Sequence, residues 1–192
     1  AGSRIALFGK GSFDYVKGGG GSGDVTVSYV HNLYDGFQML HDAVSLYEPL
    51  CDFYRANVNE QYDQGSVPGM TTEPALSAEL LAGASAYTDT AVIVLSRFSG
   101  EGWDRSSIEY NGEYNPWETE TSMPKISGEI FPDGDFYLTK EESAMIAQVK
   151  QHFSRIAVVL NIGGIIDTSW IKNDDQISSA LIAWQGGMEG GS

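Results

Sequence analysis

The sequence predicts an α/β domain, a three-layer α/β/α sandwich around a mostly parallel sheet. Three observations carry that expectation. Short uninterrupted apolar runs recur along the chain, as expected of strands buried on both faces. Amphipathic stretches separate them, which is the alternation of a parallel sheet covered by helices. Glycine-rich segments follow three of the runs directly, at Gly9, Ser99 and Gly163, and in such sheets the loops at the carboxyl ends of strands line the ligand crevice.

Taken in order, Arg4 to Phe8 reads as the first buried strand, stopped by Gly9. After a glycine-dense loop to Gly23, Val27, Val30, Leu33, Tyr34, Phe37 and Leu40 recur at helical spacing. A second helical pattern runs from Ala43 to about Tyr62, with Leu46, Tyr47, Leu50, Tyr54 and Val58 on one face and Pro49 as a break or kink. Val67-Pro68-Gly69-Met70 is a turn, and a short helix is expected from Ser77 to Tyr87. Thr90 to Ser96 is the clearest strand. Residues 106–134 have no sustained period and are expected to form a long surface loop. Thr139 and Glu142 form a capping box that opens a further helix. Ile156 to Asn161 and Ile177 to Trp184 complete the strands, the latter stopped by Gly186-Gly187.

At 192 residues, with 42% hydrophobic and 19% charged residues, the chain has enough apolar side chain for one core. Eleven Lys plus Arg against 26 Asp plus Glu give a net charge of −15. Such a field disfavours nucleic acid and anionic membrane, which need basic residues, and is indifferent to neutral sugars. Cys51 is the single cysteine, so no internal disulfide forms, and its apolar surroundings suggest a buried inert thiol. No signal peptide or membrane-spanning run is visible in these residues.

Gly18, Gly20 and Gly23 formally match a dinucleotide fingerprint, but roughly ten residues separate them from the strand end, where a true fingerprint would begin. The other readings are a loop whose glycines permit positive φ, or one whose backbone and Ser22 approach a polar ligand. Glu101 directly follows a strand and is flanked by Gly100 and Gly102, which suits a general acid/base; a solvated loop glutamate is the plain alternative. Trp103 beside it has the face to stack on a sugar or to pack under the loop. Asp104 and Arg105 read as structural. Asp14 and Asp24, flanking the first glycine loop, read as turn caps. His31, His41 and His152 lack metal-ligand spacing and read as helix-surface or packed residues. Asp133-Gly134-Asp135 and Asp174-Asp175 look like turns, and no cofactor is called for.

These motifs resemble a known family. Ile5 to Gly9 with Lys-Gly-Gly-Gly-Gly-Ser-Gly-Asp at 17–24, and Val-Ile-Val-Leu-Ser-Arg-Phe-Ser-Gly-Glu-Gly-Trp-Asp-Arg at 92–105, resemble the second domain of family 3 glycoside hydrolases. Gly134 to Leu138, Val158 to Gly164 and Leu181 to Gly190 follow in the same order, so the resemblance covers residues 1–192, and the bacterial β-glucosidase branch is the nearest. It implies a retaining hydrolase in which a TIM-like barrel domain of the same protein supplies an aspartate nucleophile. This domain would supply Glu101 as acid/base, with Ser22 holding hydroxyls of the substrate, a β-glucoside or oligosaccharide. The resemblance implies that the 192 residues stop short of the family's closing helix and strand and would not hydrolyse glycosides alone. Tyr110, Tyr114, Trp117 and Phe131 either pack over the domain surface or form an aglycone platform. The competing readings are a non-catalytic carbohydrate-binding or interaction module and a nucleotide-binding domain. Sugar, linkage and oligomeric state stay open, with a mild preference for the bacterial cytoplasm.

Overall fold

The computed structural model describes residues 2–21, 24–100, 107 and 123–192, with side chains undescribed at 123–126. Five strands, β1 (Ser3–Phe8), β2 (Val44–Leu46), β3 (Thr90–Arg97), β4 (Arg155–Ile162) and β5 (Ile177–Ile182), form one sheet in the order β2-β1-β3-β4-β5. Every neighbouring pair is parallel. The helices are α1 (Leu33–Met39), α2 (Glu48–Asp63), α3 (Ala78–Tyr87), α4 (Met123–Ile130), α5 (Lys140–His152) and α6 (Ser169–Lys172).

Strand alternation divides the apolar residues between two faces. Ala6 and Phe8, Ile93 and Leu95, and Val158 and Leu160 meet Leu50 and Tyr54 of α2, Leu81 and Ala84 of α3, and Met145 and Val149 of α5. Leu7, Val92 and Val94 point the other way, toward Leu33, Tyr34 and Phe37 of α1. The sheet is therefore the middle layer of the expected sandwich. Burying a Leu, Val or Phe side chain contributes roughly 1.5–3 kcal/mol, so the larger first cluster carries most of the apolar stabilisation.

Three elements differ from the sequence pattern. The helical period begun at Val27 becomes a helix only at Leu33, where Asn32 caps α1 in a capping box with Asp35. Residues before it are engaged elsewhere: the His31 amide donates to the Met188 carbonyl at 2.8 Å, and Lys17 Nζ donates to the Val25 carbonyl at 3.0 Å. The pattern begun at Ala43 opens as the three-residue strand β2, and Pro49 lies in the first turn of α2, where its missing N–H costs nothing. Within the expected long loop, Met123–Ile130 is helical. The capping box at Thr139 and Glu142 forms as expected, with the reciprocal bonds at 3.1 and 2.9 Å. Cys51 is fully buried, and burial, chiefly, pushes its thiol up to about 12.

Candidate functional site

The order 2-1-3-4-5 places the topological switch between β1 and β3, where successive crossovers leave to opposite sides and a crevice opens at the strands' carboxyl ends. The two segments singled out in the sequence leave there. Ser22, Glu101 and Trp103 themselves lie outside the described residues, as do Gly23, Asp104, Arg105, Tyr110, Tyr114 and Trp117. Their described chain neighbours are Gly21 and Asp24 on the first loop and Ser99 and Gly100 on the second.

The loop after β1 and the loop after β3 pack backbone to backbone. A Cβ on Gly19 would stand 2.3 Å from the Ser99 carbonyl oxygen, and one on Gly100 would stand 2.6 Å from the Gly20 nitrogen. Only glycine permits that approach. The base of the first loop is tied across by Lys17 Nζ to Asp24 Oδ1 at 2.9 Å. Gly21 takes φ 78°, the positive angle expected of this loop. The exit of β4 completes the cluster, since a Cβ on Gly163 would meet Ser99 Cβ at 2.7 Å. All three glycine-rich segments thus converge.

Each of the first two loops stands on buried charge. Asp14, read from sequence as a turn cap, is a fully buried hub. Its carboxylate accepts from Lys10 Nζ at 2.8 Å, Tyr62 Oη at 2.6 Å, the Gly69 amide at 2.7 Å and Thr71 Oγ1 at 2.6 Å. Burial pushes this carboxyl up, but the Lys10 charge and the bonds from Lys10, Thr71 and Tyr62 outweigh it and hold it below the ordinary range. Glu73 accepts from the Lys10 amide and Tyr54 Oη, both at 2.8 Å. Those neutral donors do not offset its burial, and the carboxyl rises to about 7.

Under the second loop, Arg97 is fully buried and bidentate to Glu142, with both bonds 2.6 Å. Its remaining donors reach the carbonyls of Ser96, Asp135 and Tyr137 at 2.9, 3.2 and 3.1 Å, so five bonds use the guanidinium completely. Burial pushes the Glu142 carboxyl up, yet the Arg97 charge and hydrogen bonds outweigh this and leave it lowered. The ring of Phe131 lies under the guanidinium with Cζ 4.4 Å from its centroid. Phe131 is therefore core, which fits the packing reading and not a place in an aglycone platform.

Sequence reasoning missed Lys10, Glu73 and Arg97. Lys10 and Arg97 each sit at the end of an apolar strand run, a position where a charged residue is buried only if paired. Asn161 was also unflagged. Its side chain accepts from the Val16 amide at 2.7 Å and donates to the carbonyls of Val16 at 3.0 Å and Trp184 at 2.7 Å.

His31 Nδ1 faces Glu189 at 2.8 Å, while His41 and His152 bond backbone carbonyls within a turn of themselves. No group of three His, Cys, Asp or Glu able to hold a metal occurs among the described residues. A cavity of about 360 Å³ is walled by Glu73, Glu129, Phe131, Asp133 and Glu141 among others, and no described residue of the three glycine loops lines it.

The whole chain, residues 1–192, matches the glycosyl hydrolase family 3 C-terminal domain. The chain belongs to that family. It is 53% identical over 190 residues to "Beta-glucosidase A" of Butyrivibrio fibrisolvens, covering 99% of this chain and 23% of that protein. The β-glucosidase of Paenibacillus barengoltzii superposes with TM-score 0.75 at 29% identity, over 98% of this chain and 19% of that one. Beta-glucosidase 3B of Thermotoga neapolitana in complex with α-D-glucose superposes with TM-score 0.75 at 28% identity, over 98% of this chain and 24% of that one. The chain thus spans less than a quarter of these relatives' lengths.

Proposed function

We propose that this chain is the second domain of a retaining β-glycosidase of the β-glucosidase type, hydrolysing O-glycosidic bonds in a β-glucoside or oligosaccharide. Glu101 is the general acid/base, and a TIM-like barrel domain of the same protein supplies the aspartate nucleophile. Ser22 holds sugar hydroxyls and Trp103 offers a face to the substrate. The observation that carries this reading is the backbone contact of Gly19 and Gly20 with Ser99 and Gly100 at the β1–β3 switch, which brings together the segments that bear Ser22 and Glu101. Family membership and the β-glucosidase relatives support the substrate class.

In this mechanism the barrel aspartate attacks the anomeric carbon while Glu101 gives its proton to the departing oxygen. Glu101 then takes a proton from water, and the hydroxide releases the sugar with retained configuration. Retention needs the two carboxyl groups about 5–5.5 Å apart. Closing a barrel over the loop would desolvate Glu101, and the aspartate charge would disfavour its ionisation, both keeping the acid protonated.

The test is Glu101→Ala in the complete enzyme, with substrates of good and poor leaving ability, with and without azide. Poor leaving groups should lose far more, and azide should restore turnover of good ones as a β-glycosyl azide. Small, equal losses would reject Glu101 as acid/base and favour the non-catalytic module.

A further inference from the structure

Trp184 is the only non-glycine residue with positive φ among the described residues, at 56°. A bulky side chain resists that conformation, and it persists only where the surroundings enforce it. Burial of the indole is not the cause, because Trp184 is 57% exposed. Its backbone is held instead: the Trp184 carbonyl accepts from Asn161 Nδ2 at 2.7 Å, the Ala183 amide donates to Leu160 at 2.9 Å, and the Gly186 amide donates to Tyr15 Oη at 3.2 Å.

This turn brings Gln185 over the exit of β4. Gln185 Nε2 donates to the Ser99 carbonyl at 3.2 Å, two residues before Glu101 in the chain. The side chain is wedged as well as bonded, since a Cβ on Gly163 would stand 2.9 Å from both Gln185 Cδ and Oε1. The Ser99–Gly100 peptide is therefore gripped from two sides, by Gly19 and Gly20 on one and by Gly163 and Gln185 on the other.

We propose that Gln185 is a positioning residue for the acid/base loop, its amide and the strained Trp184 turn setting where the chain from Ser99 delivers Glu101. This rests on the acid/base reading of Glu101. General acid catalysis requires the carboxyl within hydrogen-bonding reach of the leaving oxygen, and displacement by about 1 Å costs on the order of a hundredfold in rate. A residue that sets the carbonyl two positions upstream acts on the proton transfer, which matters only where the leaving group needs a proton.

The experiment compares Gln185→Met, which keeps the length but removes the donor, with the wild type and Glu101→Ala in the complete enzyme. The readout is kcat/KM for cellobiose, whose leaving group needs a proton, relative to 2,4-dinitrophenyl β-glucoside, whose leaving group does not. Gln185→Met should lower that ratio about tenfold, the size of one lost hydrogen bond expressed at the transition state, with an unchanged thermal midpoint. Gln185→Glu, which places an acceptor against the Ser99 carbonyl, should lower it at least as far and serves if the Met variant folds poorly. If Glu101→Ala lowers the ratio but both Gln185 variants leave it unchanged, or depress both substrates alike, the positioning role is overturned and Glu101 stands. If Glu101→Ala leaves the ratio intact, the acid/base reading falls and the role assigned to Gln185 falls with it.

Discussion

The loops after β1 and β3 meet at one crevice but stand on different foundations. Beneath the first, one lysine serves two buried carboxylates: Lys10 gives its ammonium to Asp14 and only its backbone amide to Glu73. Beneath the second, one arginine faces one carboxylate, and its fork also satisfies three carbonyls. An ammonium is a point charge, whereas a guanidinium distributes five donors in a plane. The pair under the second loop is therefore complete, and the cluster under the first retains a carboxyl with no cation of its own. The complete pairing belongs to the Arg97 side, and sensitivity to pH near neutrality to the Glu73 side.

Arg97→Met should have the largest effect, because it strands Glu142 in the core together with unpaired carbonyls. Urea unfolding should show a loss of about 3–5 kcal/mol. Arg97→Lys should recover little, since an ammonium cannot reach the same acceptors. Lys10→Met should cost less, about 2–3 kcal/mol, because Asp14 keeps its bonds from Tyr62, Gly69 and Thr71. A greater loss from Lys10→Met than from Arg97→Met would reverse the comparison.

The pH dependence sharpens it further. Glu73 has a folded-state pKa raised from 4.5 to about 7, so the native state holds an extra proton between those values. Stability should fall as pH rises through that window, by about 1–3 kcal/mol. Asp14 and Glu142 are lowered, and their contribution is present above the unfolded carboxylate range and lost as pH falls through their folded values. Stability should therefore peak at mildly acidic pH. Glu73→Gln, whose amide can still accept from Lys10 and donate to Tyr54, should flatten the decline toward pH 7; an unchanged slope would assign it elsewhere. The smallest effect is on Cys51, which should resist iodoacetamide at pH 8 until urea unfolds the chain, because its thiol is buried and raised to about 12.

What was legible in sequence was local or periodic. Thr90 to Ser96 reads as a buried strand because seven of the eight residues of β3 are shielded on both faces. Thr139 and Glu142 announce a helix start through bonds spanning three positions. Residues 27–32 misled because their helical spacing competes with backbone bonds to a segment more than 150 residues away. Asp14 misled for a related reason: its neighbours in sequence describe a turn, while three of its partners, Tyr62, Gly69 and Thr71, lie 48 to 57 residues away. Glu142 was read for its cap alone, although the same carboxylate also neutralises Arg97.

By itself the sequence determined the α/β class, the strand runs, the glycine spacing and the family motifs, because each depends on residues close along the chain. Only the tertiary structure decided the strand order, and with it the meeting of the first and second glycine loops at the β1–β3 switch. It alone also decided which charges are buried together and that Gln185 reaches Ser99. The physical reason is range: periodicity and capping act over a few residues, while a buried ion or a wedged amide takes its partner from wherever packing brings the chain.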